Sequence, residues 1–244
     1  DHLVLTQERR FGRAEVGAEE PIPLGGRREE LARRWERAFS KIREAEMALR
    51  RDYREIPADF IDTVFRAMPL EHAEAETVPV ERLIDQAAGL WELVNQYLQA
   101  PEHLHVRVHN PMEQYYPAVS PEQIPPDINY TEVMVVGRER AGLIRDVSQI
   151  ISRPGVGRPR GNILSTWLLH HFVRTQTGEP VRVAIMVFEV ARETEEGGAF
   201  DDAQRQDLAE AIQAVPADVP EGTTNNDVNL ADIGLEAEEH GGVN

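Results

Sequence analysis

The stretch that decides the fold prediction spans residues 132–151 and reads Glu-Val-Met-Val-Val-Gly-Arg-Glu-Arg-Ala-Gly-Leu-Ile-Arg-Asp-Val-Ser-Gln-Ile-Ile. The apolar run from Val133 to Val136 predicts a buried strand. Apolar residues then recur at steps of three and four, which predicts a helix with one buried face. These helix positions are Leu143, Ile144, Val147, Ile150 and Ile151. Only a tight turn fits between the strand and the helix.

That turn is the predicted binding site. Gly137 and Gly142 give it the backbone freedom that a tight turn needs. The first N–H groups of a helix have no partner within the helix, so they favour a carboxylate or a phosphate group. Arg138 and Arg140 add positive charge beside them. The alternative is that Gly142 only shapes the turn.

The elements around this stretch predict an α+β fold. The order is strand, helix, strand, strand, helix, which is typical of a ferredoxin-like βαββαβ sandwich. These elements are predicted at 128–137, 140–152, 162–173, 181–190 and 200–215, with a hairpin connection at 175–179. The fourth strand comes either from residues 102–109, where polar and apolar residues alternate, or from residues 228–233.

An N-terminal helical segment precedes the sandwich. Apolar residues recur at helical spacing in three segments, 27–53, 58–68 and 80–98, and no catalytic cluster accompanies them. The stripe of the first helix consists of Leu31, Trp35, Ala38, Phe39, Ile42, Ala45 and Leu49. The three tryptophans, Trp35, Trp91 and Trp167, are predicted in the core or at an interface. Residues 110–126 are predicted as a loop.

The predicted organisation has four parts. They are a flexible lead (1–26), a helical region (27–100), the α+β domain (101–215) and an acidic, disordered tail (216–244). An alternative for the tail is a short apolar interaction motif formed by Val228, Leu230, Ile233 and Leu235.

Composition excludes several classes of protein. The chain has 244 residues, a net charge of −17 and no cysteine, which excludes disulfides, thiolate catalysis, cysteine zinc sites and iron–sulfur clusters. No apolar run is long enough to span a membrane, and no secretory signal is evident at the start. The negative charge disfavours binding to nucleic acid. We therefore expect a cytoplasmic protein.

The charge is distributed unevenly. Residues 138–191 contain 8 Arg and 4 acidic residues, whereas the segments on either side are acidic. This basic island includes the predicted turn. It strengthens the expectation that a small anion or zwitterion binds there.

The same stretch resembles the ACT domain, a small-molecule-binding regulatory module of amino-acid-metabolising enzymes. The matching residues are Glu139, Arg140, Gly142, Leu143, Ile144, Asp146, Asn162 and Ile163, while Ala141 replaces a common Pro and the loop at 153–160 is longer than usual. The resemblance implies an effector amino acid bound between two domains paired side by side. It would contact Arg138, Glu139, Arg140, Ala141, Gly142, Leu143 and Asn162. Asn162 could instead only cap its strand.

A broader segment, about residues 56–190, resembles the N-terminal region of large NAD-dependent glutamate dehydrogenases. It contains a Leu90-Trp91 pair, Val106-Arg-Val-His-Asn-Pro111 and Tyr130-Thr-Glu-Val-Met-Val135. No dinucleotide-binding Gly-x-Gly-x-x-Gly follows a strand, so the chain would be an N-terminal fragment of such an enzyme or a stand-alone relative. The ACT-like part is also similar to the regulatory domain of alarmone synthetase/hydrolase enzymes.

The sequence contains no complete catalytic or metal-binding signature. His103, His105 and His109 alternate along one strand, but no third zinc ligand is evident. The neighbours His170 and His171 point to opposite faces of a strand. No nucleophile signature surrounds Ser148 or Ser152 in their helix. The sequence therefore predicts no catalytic residue, no metal and no cofactor.

The sequence favours a noncatalytic regulatory or assembly module. It would bind a small metabolite, with an amino acid as the expected ligand, form a homo-oligomer and control a partner enzyme or catalytic domain. One alternative is a protein interaction scaffold without a ligand, in which helices 27–98 bind the partner. Two further alternatives are an N-terminal fragment of a large NAD-dependent glutamate dehydrogenase and a metal-dependent enzyme built on His103 and His105.

Overall fold

The computed structural model describes residues 24–70, 73, 78–115, 129–152, 160–175, 177–193 and 197–217, with side chains from residue 29 onward. The predictions for the lead (1–23), the possible strand at 228–233, the tail beyond residue 217 and the loop at 153–159 lie outside these residues.

Six helices and four strands are present in the described part of the chain. The helices are α1 (Leu24–Asp52), α2 (Ala58–Ala67), α3 (Val80–Gln99), α4 (Pro111–Tyr115), α5 (Leu143–Ser152) and α6 (Asp202–Gln213). The strands are β1 (His105–His109), β2 (Thr131–Arg138), β3 (Gly161–Arg174) and β4 (Pro180–Arg192). The mixed α/β content with an N-terminal helical part is as predicted.

One prediction in this region is wrong. Residues 111–115, assigned to a loop, form the short helix α4. Pro111 is its first residue, where a missing N–H costs nothing because that group has no partner within a helix. Asn110 precedes it and accepts a backbone bond from Glu113 N at 3.2 Å.

The four strands form one antiparallel sheet in the order β1-β2-β4-β3. Strand β1 pairs with β2, with His109 opposite Glu132. Strands β3 and β4 form a hairpin, whose turn is closed by Thr175 N donating to Glu179 O at 2.9 Å. The central strands are therefore β2 and β4, and β3 is an edge strand.

Helices cover both faces of the sheet. Helices α1, α2 and α3 pack on one face, where their apolar residues form a single core with sheet residues such as Met134, Ile185 and Trp167. Helices α5 and α6 pack on the other face over Val135 and Phe188. The helical region thus forms a layer of the same structure, because its core includes the sheet.

A ring of buried hydrogen bonds joins the starts of β2, α4 and α6. Thr131 Oγ1 donates to Asn110 Oδ1 at 2.7 Å and accepts from Phe200 N at 2.7 Å. Asn110 Nδ2 donates to Phe200 O at 2.8 Å and closes the ring. We call this set the Thr131 ring. The capping box of α6, in which Asp201 Oδ1 accepts from Gln204 N, begins beside it.

The apolar stripe of α1 is only partly buried. Ala38, Ala45 and Leu49 lie in the core. Trp35 and Phe39, by contrast, are 47% and 56% exposed. Residues 29–37 of α1 are all exposed, so the N-terminal part of this helix is left uncovered by the described part of the chain.

Candidate functional site

The predicted turn joins β2 to α5 at residues 138–143. Gly142 has φ +81°, a conformation that favours glycine over any L side chain, so this residue is needed for the turn itself. Glu139 N donates to Arg182 O at 3.1 Å and fixes the turn against β4. Arg138 and Ala141 are exposed, and Leu143 is buried at the helix start.

Arg140 is engaged by its own chain. Its guanidinium donates to Asp146 Oδ2 at 2.8 Å and to Pro216 O at 3.0 and 3.2 Å. Only 10% of the side chain is exposed in its ion pair with Asp146. Arg140 therefore ties the turn to the segment that follows α6, which makes it a positioning residue for the turn.

Glu139 is also paired. Its carboxylate lies 2.7 Å from Arg182 Nε and 3.4 Å from His170 Nδ1. The Arg182 guanidinium lies 5.9 Å from the centre of the Phe172 ring, at cation–π distance. Phe172 and Leu168 are both exposed on this part of β3. Glu139 is consequently linked to an apolar patch at the edge of the sheet.

Asn162 lies far from the turn in the same chain. It is exposed and pairs in register with Ala191, whereas Arg138 pairs with Val183. Those partners are eight residues apart along β4, or about 26 Å at about 3.3 Å per residue. The structure brings residues 138–143 together and leaves Asn162 at the opposite end of the sheet.

A second candidate site, which the sequence did not indicate, lies on the face of the sheet that α1, α2 and α3 cover. It is a pocket of about 210 Å³ between α3, β1, β2 and α4, which we call the α3 pocket. Its walls carry Asp85, Glu92, Arg107, Gln114 and Tyr115, and its floor is built by Arg82, Gln86, His109 and Glu132.

The floor is a buried polar cluster. Glu132 is 0% exposed and Arg82 is 2% exposed. Glu132 Oε2 accepts from Arg82 Nη2 at 2.6 Å and from Gln86 Nε2 at 2.5 Å, while Tyr130 Oη accepts from Arg82 Nη2 at 2.9 Å. Burial alone would lower the pKa of Arg82, but Glu132, Tyr130 and Glu189 raise it above its ordinary value, so the guanidinium stays charged.

His109 completes the floor in a neutral form. Its Nε2 lies 3.5 Å from Glu132 Oε1. Burial lowers the pKa of His109, and the attraction of Glu132 offsets this only in part. With Nε2 facing a carboxylate, the proton of the neutral ring is placed on Nε2 and Nδ1 is left as an acceptor.

The mouth of the pocket contains an acidic side chain held by neutral donors. Asp85 Oδ2 accepts from Tyr115 Oη at 2.6 Å and from Gln114 Nε2 at 3.0 Å. Burial, followed by Asp85, raises the pKa of Tyr115, so its hydroxyl remains protonated and donates. On the opposite side Arg107 Nη1 pairs with Glu92 Oε2 at 3.4 Å.

One sequence signal could have found this pocket. Glu132 lies within the otherwise buried strand β2, and a carboxylate there requires a buried cation or donors. Arg82 and Gln86 are one helical turn apart on the apolar face of α3, which is where such partners must lie. Both halves of the pattern are present in the sequence, but they can be connected only once it is known that α3 packs on β2.

The histidines of the metal hypothesis do not assemble. His103 is exposed, and His105 Nε2 lies 2.8 Å from Ala100 O. No group of three or more His, Asp or Glu residues in the described segments could hold a metal ion. His170 and His171 do point to opposite faces of β3, towards Glu139 and Asp59 respectively.

No helix among the described residues is both long enough and apolar enough to cross a bilayer. Comparison with known proteins adds no relative: no family model matches the chain, and neither a curated protein nor a solved structure matches it.

Proposed function

We propose that this chain is a noncatalytic regulatory or assembly module with an ACT-like, ferredoxin-like sheet. In a ferredoxin-like sandwich the fourth strand lies beside the first, antiparallel to it. Here β1 lies antiparallel beside β2, which leads the strand–helix–strand–strand–helix order. This proposal therefore places β1 in the position of the fourth strand, although it comes earlier in the chain.

The proposed ligand is an amino acid bound between two copies. The observation that carries this proposal is the separation of about 26 Å between Asn162 and the 138–143 turn, because a ligand touching both must bridge two copies. Two copies pairing along the free edge of β3 would run antiparallel. A two-fold axis near Leu168 then sets Asn162 of one copy close to the level of the turn in the other.

Two features support pairing along β3. The strand is long, with 14 residues, and one of its edges has no neighbouring strand in the described structure. Its exposed residues include Leu168 and Phe172, which is 67% exposed. Burial of such apolar surface favours association. In the resulting site the N–H groups at the start of α5 would receive the carboxylate, since Arg140 is engaged elsewhere.

Light scattering and calorimetry with the twenty amino acids test this function. Phe172→Glu should give a monomer that no longer binds the effector, whereas Phe39→Glu on α1 should leave both dimer and binding unchanged. Arg138→Ala and Asn162→Ala should each weaken binding without dissolving the dimer. A wild-type protein that is monomeric at all concentrations, or Phe172→Glu protein that still binds, would contradict the proposal.

The second candidate is a protein interaction scaffold. It is favoured by the exposed apolar residues of α1, which are Leu31, Trp35, Phe39 and Met47. The same pair of variants distinguishes it: if Phe39→Glu, and not Phe172→Glu, abolishes self-association, then α1 is the surface through which the module assembles.

A further inference from the structure

The α3 pocket has no role in the function proposed above. Its floor residue Glu132 lies six residues along β2 from Arg138, about 20 Å at about 3.3 Å per residue. The pocket also lies on the face of the sheet that α1, α2 and α3 cover, between α3 and α4. A ligand in this pocket would therefore be separate from an effector at the turn.

The charges around the pocket do not balance. Arg82 pairs with Glu132, and Arg107 pairs with Glu92. Asp85 accepts hydrogen bonds from a phenol and an amide only, and no Arg, Lys or His among the described residues lies within 4 Å of its carboxylate. The lining thus carries one carboxylate whose charge is not neutralised by a cation in contact with it.

The floor also has spare acceptors. Gln86 must turn Nε2 towards Glu132, which leaves Oε1 buried without a partner in the described structure, and His109 Nδ1 is in the same state. Gln86 is only 2% exposed. A buried acceptor without a donor is costly, so a small turn of the Gln86 or His109 side chain towards a ligand with N–H groups would be favourable.

The size of the pocket limits the ligand. A volume of about 210 Å³ corresponds to about seven waters at about 30 Å³ each. The part of a ligand that lies inside the pocket therefore has roughly that number of non-hydrogen atoms.

We propose that the α3 pocket binds a small monocationic amine or guanidine, with the cation against Asp85. The carboxylate, already held by Tyr115 and Gln114, supplies the charge, and the floor acceptors favour a group with several N–H donors.

NMR titration of the isotope-labelled full chain tests the proposal with ethanolamine, butylamine and methylguanidine. Ligands this small bind weakly, so concentrations should reach tens of millimolar. Ethylene glycol and butanol are the neutral counterparts of the first two amines. We expect the amines, and not the neutral compounds, to shift the amide resonance of Gly89 and the side-chain amides of Gln86 and Gln114.

Two variants make the test specific. Asp85→Asn keeps the shape and the hydrogen bonds of the side chain while removing its charge, and it should weaken amine binding at least tenfold. Asp207→Asn, which removes an exposed carboxylate on α6, should leave binding unchanged. The spectrum of each variant reports whether it is folded.

Three results would overturn the proposal. These are amines that do not shift the pocket resonances, neutral compounds that shift them equally, and Asp85→Asn protein that loses less than tenfold in affinity. None of these results depends on whether an amino acid binds at the turn. That binding is tested separately by Arg138→Ala, which should leave amine binding in the α3 pocket unchanged.

Discussion

Removing one partner of the buried ion pair should cost far more stability than removing one partner of an exposed pair of the same chemistry, because it leaves a buried charge uncompensated. Arg82→Met would leave the Glu132 carboxylate, 0% exposed, without its arginine, although Gln86 still donates to Oε2 and His109 Nε2 lies 3.5 Å from Oε1. Removing one partner of a buried pair costs about 3–5 kcal/mol in free energy of unfolding. Arg107→Met breaks a pair whose side chains are 44% and 70% exposed, and should cost less than about 1 kcal/mol.

Urea unfolding followed by circular dichroism measures both variants. At a slope of about 2 kcal/mol/M, the Arg82→Met loss lowers the midpoint by about 2 M. The double variant Arg82→Met/Glu132→Leu replaces both charges by apolar groups. Its loss of unfolding free energy should be smaller, by at least about 1 kcal/mol, than the sum of the losses of Arg82→Met and Glu132→Leu measured singly. Additive losses, or an Arg82→Met loss no larger than that of Arg107→Met, would refute this reasoning.

Three further outcomes are expected. Burial lowers the folded-state pKa of His109, so as pH falls the unfolded chain binds the proton first, and the free energy of unfolding should decrease below about pH 6.5. His109→Gln should flatten this pH dependence in urea titrations between about pH 5 and 7.5. An unchanged slope would contradict the role assigned to His109. Gly161→Ala should cost about 1–3 kcal/mol in thermal unfolding, because its Cβ would lie 2.5 Å from a β4 side chain and 3.0 Å from an α5 backbone oxygen; Gly89→Ala, which meets only side-chain atoms, should cost less. Thr131→Val breaks the Thr131 ring and should cost about 1–3 kcal/mol in free energy of unfolding. Thr63→Val removes only an exposed hydrogen bond to Asp59 O and should change stability by under about 0.5 kcal/mol, so equal losses would show that the ring contributes nothing.

Local periodicity predicted most of the elements. The step of three or four residues in α5 and the β-rich runs of β3 and β4 are properties of single segments, and their bounds lie within a few residues of the predicted ones. Helix α4 was missed because a five-residue helix is too short to show a period. The exposure of the N-terminal part of α1 could not be predicted either, since its apolar stripe continues beyond the residues that the rest of the described structure covers.

The candidate sites depend on which segments meet, and this is a property of the whole sheet. The 138–143 turn could be predicted because its residues are consecutive. The α3 pocket brings Asp85 together with Tyr115, and Arg82 with Glu132, across separations of 30 and 50 residues. No local pattern encodes such pairs. Likewise, the register that separates Asn162 from the turn follows from strand pairing, which composition and spacing do not specify.

The central position of β4 has a consequence for how the protein folds. Its residues from Val183 to Phe188 are buried on both faces, so they contribute to both hydrophobic cores at once. The β3–β4 hairpin can form from neighbouring residues, but neither core is complete until β2, about 50 residues earlier, closes onto β4. The helical layer and the α5–α6 layer should therefore lose their structure in one cooperative transition, and residues 27–100 made alone should lack a stable fold.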